Sequence, residues 1–99
     1  MSQQLYDEVV TALTAAKKSI RCEELAVLLK RLGFEVRDGR RAGHKVFVHD
    51  GIPSFTSSSY NCGHGRNPEI KPAYIVSVLK TLRHYETEIV EYLEKRHEN

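Results

Sequence analysis

The sequence predicts an α+β fold, a three-stranded antiparallel sheet with helices packed on one face and the other face open. Apolar residues recur at helical spacing over residues 3–18, 25–32 and 72–95. Between them stand three short segments rich in β-branched and aromatic residues, separated by Gly, Asn and Pro. A chain of 99 residues has room for a single domain, so we expect residues 1–99 to fold as one unit.

Two helices are predicted before the first strand. The first covers residues 3–18 and belongs to an added N-terminal element, residues 1–18. The second begins between Ser19 and Cys22, a boundary that the sequence does not fix more closely, and Gly33 ends it. Residues 19–85 form the predicted core, and its inward-facing positions are Leu25, Leu28, Leu29, Leu32, Phe34, Val36, Ile75, Leu79 and Leu82.

Three strands are predicted over residues 34–37, 44–48 and 55–60. Asp38, Gly39 and Gly43 supply the turn between the first two. The third is rich in Ser and Thr, which is typical of an exposed edge strand. After a loop over residues 60–71, Pro72 begins the last helix, which either continues to about residue 95 or breaks near Thr87.

Charge is distributed unevenly along the chain. The formal net charge of +2 is too small to indicate nucleic-acid binding. Residues 15–49, however, hold nine Lys or Arg against four Asp or Glu, whereas residues 84–99 hold two against five. This pattern predicts an anionic ligand at the basic middle, or else two ordinary solvated faces. The acidic C-terminal extension, residues 86–99, carries Ile89, Tyr92 and Leu93, which need a partner surface on the first helix or on another chain.

The first residues, MSQQLYDEVV, lack the apolar segment of a secretory signal. No stretch approaches the roughly 20 apolar residues that a membrane span needs. We therefore expect a cytoplasmic protein that does not enter a membrane. Cys22 and Cys62 are accordingly expected to be free thiols, because reducing compartments disfavour disulfides.

The turn between the first two strands is the candidate site. Arg40 and Arg41 lie in it, with Arg37 just before, and His44 and Lys45 follow. Imidazole titrates near neutral pH and suits proton transfer, while clustered fixed positive charge suits a phosphate. Alternation along the strand separates His44 from Lys45, but apolar residues stand on both sides, so the sequence leaves open which side is buried. A purely structural role for His44 is the alternative.

Other chemistries have weaker support. A zinc site formed by His44, His49, Cys62 and His64 is the metal alternative, but Cys62 and His64 do not have a standard paired spacing. Three consecutive serines, residues 57–59, lack the Gly-x-Ser-x-Gly surroundings of a nucleophile. No glycine motif for binding nucleotide phosphates is present. We therefore expect neither a metal nor a cofactor.

The segment CEELAVLLKRLGFEVRDGRRAGHKVFVHDG resembles the core of HicA-type toxins, small ribonucleases of bacterial toxin–antitoxin pairs. In that family a helix ends in a Leu-Gly-aromatic step, and a strand leads to a Gly-Ser-His or Gly-Gly-His turn followed by an aromatic strand residue. EIKPAYIVSVLKTL is similar to the family's entry into its last helix. The resemblance covers roughly residues 19–85, and the matching residues of the first segment are Leu32-Gly33-Phe34, Ala42-Gly43-His44, Phe47 and His49.

Two departures from the family pattern concern the site. Ala42-Gly43 replaces the commoner Gly-Ser, and members vary in whether the functional histidine is the first or the second residue after that pair; here the second residue is Lys45. The Pro-x-His ending of the family's third strand is missing, and His64 is the nearest substitute.

The resemblance implies an α-β-β-β-α fold similar to a double-stranded-RNA-binding domain, an endoribonuclease activity on mRNA, and a HicB-like antitoxin as partner. His44 takes the catalytic position and would act without a metal. The surrounding cations are expected to bind RNA: Arg40, Arg41, Lys45, His64 and Arg66. The alternatives are a non-catalytic RNA-binding module of the same fold and a protein-interaction domain. RNA cleavage distinguishes the endoribonuclease from the RNA-binding module. Salt-dependent RNA affinity distinguishes the RNA-binding module from the protein-interaction domain.

Overall fold

The computed structural model describes residues 2–15 and 20–98, in which four helices and three strands are found. They are α1 (Ser2–Ala15), α2 (Cys22–Arg31), β1 (Glu35–Asp38), β2 (His44–Val48), β3 (Ser58–Asn61), α3 (Pro72–His84) and α4 (Glu86–Glu98). The predicted α+β fold is confirmed. Residues 16–18, which the prediction placed in the first helix, lie outside the described ranges.

The three strands form one antiparallel sheet in the order β1-β2-β3. Tyr60 of β3 lies opposite Lys45, which shares its side of β2 with Phe47. Phe47 and Tyr60 are fully buried, so this side of the sheet faces the core. α2 packs against β1 and α3 against β3. The other side carries His44 and Val46 and stays open, which resolves the question that strand alternation left undecided.

The chain turns sharply from α2 into β1. The N–H of Gly33 donates to Lys30 O at 2.9 Å, and the N–H of Phe34 donates to Leu29 O at 3.2 Å. Gly33 has a φ of 94°, a left-handed conformation that glycine adopts without steric cost. The predicted helix end at Gly33 is therefore confirmed, and it directs β1 back along the sheet.

The start of β3 differs from its prediction, and the structure decides between the two predictions for the last helical segment. β3 begins at Ser58 and not at residue 55, because the chain turns first: the N–H of Phe55 donates to Ile52 O at 3.0 Å. That turn buries both Ile52 and Phe55 before the strand starts. The last helical segment breaks at Tyr85, between α3 and α4, so the broken form of the two predicted alternatives is the one observed.

The added helices pack on each other. Val9 and Leu13 of α1 and Ile89 and Leu93 of α4 are buried, and the two helices are in contact. The hydroxyl of Tyr6 donates to the carbonyl oxygen of Leu82 at 3.0 Å, which fixes α1 to α3. The first helix is thus the partner surface that the apolar residues of the acidic extension need.

The hydrophobic core contains the predicted inward-facing residues except Leu28 and Val36, which are half-buried and pack against its margin. Leu28 lies beside the central stripe of α2, where Leu25 and Leu29 are fully buried. Within residues 2–15 and 20–98, no helix is both long and apolar enough to cross a membrane.

Candidate functional site

The turn between β1 and β2 is closed by backbone hydrogen bonds. The N–H of Gly39 donates to His44 O at 2.7 Å, and the N–H of His44 donates to Arg41 O at 3.0 Å. Arg40 and Arg41 are exposed at the tip of this turn. The turn therefore holds two guanidinium groups and the first residue of β2 within one short, ordered segment.

The His44 imidazole rests directly on Gly39. A Cβ atom added to Gly39 would lie 2.9 Å from Cγ and 3.1 Å from Cε1 of His44, with Nδ1 closer still. The Nδ1 edge of the ring thus faces the turn, and Nε2 lies on the far edge. Among the residues that the structure describes, none forms a side-chain hydrogen bond to this ring. Nε2 is therefore the atom available to a bound molecule.

A concavity of about 540 Å³ surrounds this imidazole. We call it the His44 pocket; it is lined by Gly39, Arg40, Arg41, His44, Val46 and Asn61. Within the described ranges neither arginine forms an ion pair. Planar guanidinium groups bind phosphate oxygens in pairs of parallel hydrogen bonds. The pocket thus places an imidazole beside two fixed positive charges.

A second concavity, of about 320 Å³, adjoins the first at Asn61. Asn61 pairs with His44 across the β2–β3 ladder, and its Nδ2 donates to the Tyr74 hydroxyl at 3.1 Å. We call this the Tyr74 pocket; it is lined by Ala42, Asn61, Cys62, Gly63, His64, Glu69, Lys71 and Tyr74. Both pockets are lined by Asn61, so they are neighbours at this end of the sheet, and we call the pair the groove.

The structure brings together only some of the predicted site residues. His44, Arg40 and Arg41 share the first pocket, and His64 lines the second. Lys45 faces the opposite side of β2, where it forms an ion pair with Asp38. The hydrogen bond from Lys45, together with its charge, lowers the pKa of the Asp38 carboxyl.

Arg66 stands apart from both pockets. It is exposed in the loop between β3 and α3, and it lines neither concavity. Its side chain can meet only a ligand that extends beyond the groove.

His49 has a structural role. The residue is only 4% exposed, and its Nδ1 accepts a hydrogen bond from the N–H of Gly51 at 3.1 Å. Nε2 therefore carries the proton and donates to Leu32 O at 3.0 Å. Burial lowers the pKa of the imidazole below its usual value of 6.5, although the bond to Leu32 opposes this shift. Both nitrogens are engaged, so His49 cannot serve as a ligand or a base.

The prediction of free thiols is wrong, because Cys22 and Cys62 form a disulfide with their Cα atoms 5.5 Å apart. The loop after β3 returns to the start of α2 and brings together residues that are 40 positions apart, which no spacing in the sequence reveals. The disulfide also removes Cys62 from the alternative zinc site. Within residues 2–15 and 20–98, no group of three or more metal-binding side chains is assembled.

Two residues of the groove, Asn61 and Tyr74, were missed by the sequence analysis. Asn61 belongs to no motif, and the strand register places it opposite His44. Tyr74 lies in the segment that resembles the family's entry into its last helix, and its hydrogen bond with Asn61 brings it to the groove. Comparison of the chain with protein-family models, curated proteins and solved structures finds no match.

Proposed function

We propose that this protein is a HicA-like endoribonuclease that cleaves single-stranded segments of mRNA without a metal ion. The observation that carries the proposal is the available Nε2 edge of His44 in a pocket with the guanidinium groups of Arg40 and Arg41. The resemblance around Gly43-His44 supports the same assignment.

The chemistry requires one proton-transfer group and positive charge. His44 takes the proton from a ribose 2′-hydroxyl as general base, or gives one to the leaving 5′-oxygen as general acid, and water completes the other proton transfer. The 2′-oxygen bonds to the adjacent phosphorus as the bond to the 5′-oxygen breaks, leaving a 2′,3′-cyclic phosphate. Arg40 and Arg41 stabilise the charge that grows on the phosphoryl oxygens.

The groove favours single-stranded RNA over a duplex. Proteins that bind single strands combine cations along the backbone with aromatic rings for the bases. The Tyr74 pocket offers a half-buried ring beside Lys71 and His64, one step along the groove from His44. A nucleotide next to the scissile phosphate enters this pocket, and Arg66 contacts RNA beyond it.

The proposed partner is a HicB-like antitoxin that covers the same groove, and the proposed compartment is the cytoplasm, where mRNA is found. Acidic groups on the partner would meet the exposed Arg40 and Arg41, since opposite charges at an interface raise the association rate.

A non-catalytic RNA-binding module is the second candidate. It is favoured by the absence, within the described ranges, of any acid–base side chain hydrogen-bonded to the His44 ring. With a single proton-transfer group at the scissile bond, the groove would bind RNA and cleave it slowly or not at all.

Cleavage of a labelled RNA oligonucleotide in EDTA tests the proposal. The matched control is the same oligonucleotide with 2′-deoxyribose throughout. We expect cleavage of the RNA alone, with 2′,3′-cyclic phosphate ends identified by mass spectrometry. Cleavage of both the RNA and the deoxyribose oligonucleotide, or loss of RNA cleavage in EDTA, would contradict the mechanism. Tight binding without cleavage would select the second candidate.

A further inference from the structure

The disulfide closes a short loop beside the groove. We call residues 63–67 the His64 loop; it runs from Cys62 to Pro68 and carries His64 and Arg66. Both of its ends are attached to Cys22: the Cys62 end through the disulfide, and the Pro68 end through a hydrogen bond from the Cys22 N–H to Pro68 O at 3.0 Å. One residue of α2 therefore holds both ends of the loop.

The Pro68 end has further attachments that do not depend on the disulfide. The side-chain oxygen of Asn67 accepts a hydrogen bond from the N–H of Glu23 at 2.9 Å, and Arg21 Nη1 donates to Asn67 O at 3.1 Å. The Glu23 N–H belongs to the first turn of α2, which lacks partners within the helix. This end of the loop stays attached when the disulfide is reduced.

The Cys62 end is joined to the turn that carries His44. The N–H of Cys62 donates to Gly43 O at 2.7 Å. Gly43 and Gly63 pack backbone to backbone, since a Cβ added to Gly43 would lie 3.0 Å from Gly63 N and 3.1 Å from Gly63 C. The disulfide and this backbone hydrogen bond together hold the segment where the loop meets the turn that carries His44.

The two cysteines of the disulfide line a concavity. Both cysteines are buried, yet both line a hollow of about 270 Å³ together with Gly43 and His64. In the cytoplasm, which is the compartment proposed above, disulfides are usually transient and have catalytic or redox-sensing roles. A disulfide in this place therefore suits a contact that is made and broken.

We propose that the Cys22–Cys62 disulfide is a redox latch that fixes the His64 loop and so controls RNA binding; the RNA part rests on the proposed function. A dithiol reductant of the thioredoxin class opens the latch. Its thiolate attacks one sulfur to give a mixed disulfide, and its second thiol releases the protein. Two electrons and two protons pass to Cys22 and Cys62, and the reductant becomes a disulfide.

Reduction weakens RNA binding through chain entropy. In the oxidised protein the loop is fixed before RNA arrives, whereas in the reduced protein its ordering opposes binding. The contacts made by His64 and Arg66 are then lost or weakened, while those of Arg40 and Arg41 remain. The oxidised form is therefore the tighter RNA binder.

Limited trypsin digestion of the full chain tests the latch without RNA. Arg66 lies in the loop, whereas Lys80 and Arg83 lie in α3 and report global unfolding. We expect reduction to speed cleavage after Arg66 by at least about tenfold, and in the reduced protein this cut should precede the cuts at the α3 sites, because the loop opens locally whereas α3 opens only on global unfolding. A double Cys22→Ser, Cys62→Ser variant should be cleaved after Arg66 as fast as the reduced protein, and reductant should not change that rate. The proposal would be overturned if reduction left the rate of cleavage after Arg66 unchanged, or if the reduced protein were cleaved at the α3 sites as fast as after Arg66.

RNA affinity as a function of salt tests the consequence. Each lost phosphate contact flattens the dependence of log K on log salt by roughly 0.7 for a single strand. We expect the reduced protein to show the flatter slope and weaker affinity, and oxidised Arg66→Ala to reproduce part of that change. Equal slopes and affinities in both redox states would refute control by the latch. Absence of RNA binding in both states would refute the proposed function instead, and the digestion rates would still decide whether the disulfide holds the loop.

Discussion

Replacing Gly39 by Ala should misplace the His44 imidazole without unfolding the protein. The new Cβ would stand 2.9 Å from Cγ and 3.1 Å from Cε1 of His44. Carbon atoms pack best at about 3.5 to 4.0 Å, so the ring must move by roughly 1 Å. A misplacement of this size typically lowers a rate by about 10²-fold. We therefore expect the Gly39→Ala protein to cleave RNA about 10²-fold more slowly.

The stability of this variant should stay close to that of the parent protein. Gly39 does not have a left-handed backbone conformation, so alanine fits the backbone and reduces the entropy of the unfolded chain. The free energy of unfolding, measured by urea denaturation, should change by less than about 1 kcal/mol.

Gly51→Ala is the matched control, because its Cβ meets core side chains far from the groove. That Cβ would stand 2.5 Å from Tyr92 Cε1 and 3.2 Å from His49 Cε1. Overpacking of this kind costs about 1 to 3 kcal/mol, so Gly51→Ala should lose stability and keep its cleavage rate per folded molecule. If Gly39→Ala cleaved at the parent rate, or if the two variants showed the same profile, the assigned position of the His44 ring would be refuted.

Three further predictions concern stability. Reducing the Cys22–Cys62 disulfide, which joins residues 40 positions apart, should lower the free energy of unfolding by about 4 kcal/mol on the chain-entropy treatment; an unchanged urea midpoint would contradict it. Folding lowers the pKa of His49, so the neutral ring contributes fully to the free energy of unfolding above about pH 6.5. This contribution is lost as the pH falls from there towards the pKa of the folded protein. Urea midpoints should show this fall, and His49→Leu should remove it. Leu25→Ala should lower the free energy of unfolding by about 2 to 5 kcal/mol, and Leu28→Ala by about half as much, because of the two only Leu25 is fully buried. Equal losses in the two variants would contradict the link between burial and stability.

Much of the fold follows from local pattern. The apolar stripe of α2, its stop at Gly33 and the β-branched residues of β2 are short-range signals, and the structure confirms each of them. The start of β3 was misplaced because Phe55 has the residue type of a strand but lies in a turn that buries it. Tertiary packing, which the sequence does not display, overrides strand propensity there.

For the site too, the sequence predicted what depends on residues close in the chain and missed what depends on tertiary structure. Arg40, Arg41 and His44 are close in the chain, so a turn between two strands was enough to place them together. The orientation of Lys45 depends on which side of β2 is buried, and apolar residues on both sides hid the answer. Asn61 and the disulfide lie at the site because segments distant in the chain pack together, which only the three-dimensional structure shows.

The most direct test of the central claim compares His44→Ala with His84→Ala, which replaces an exposed histidine on α3. RNA cleavage in EDTA is measured at saturating RNA, and affinity is measured separately. A general acid–base group contributes about 10²- to 10⁴-fold, so His44→Ala should lose that factor in rate, retain RNA binding and unfold at the parent urea concentration. His84→Ala should behave as the parent protein. Cleavage by purified His44→Ala at the parent rate would contradict the assignment of His44 as the catalytic residue.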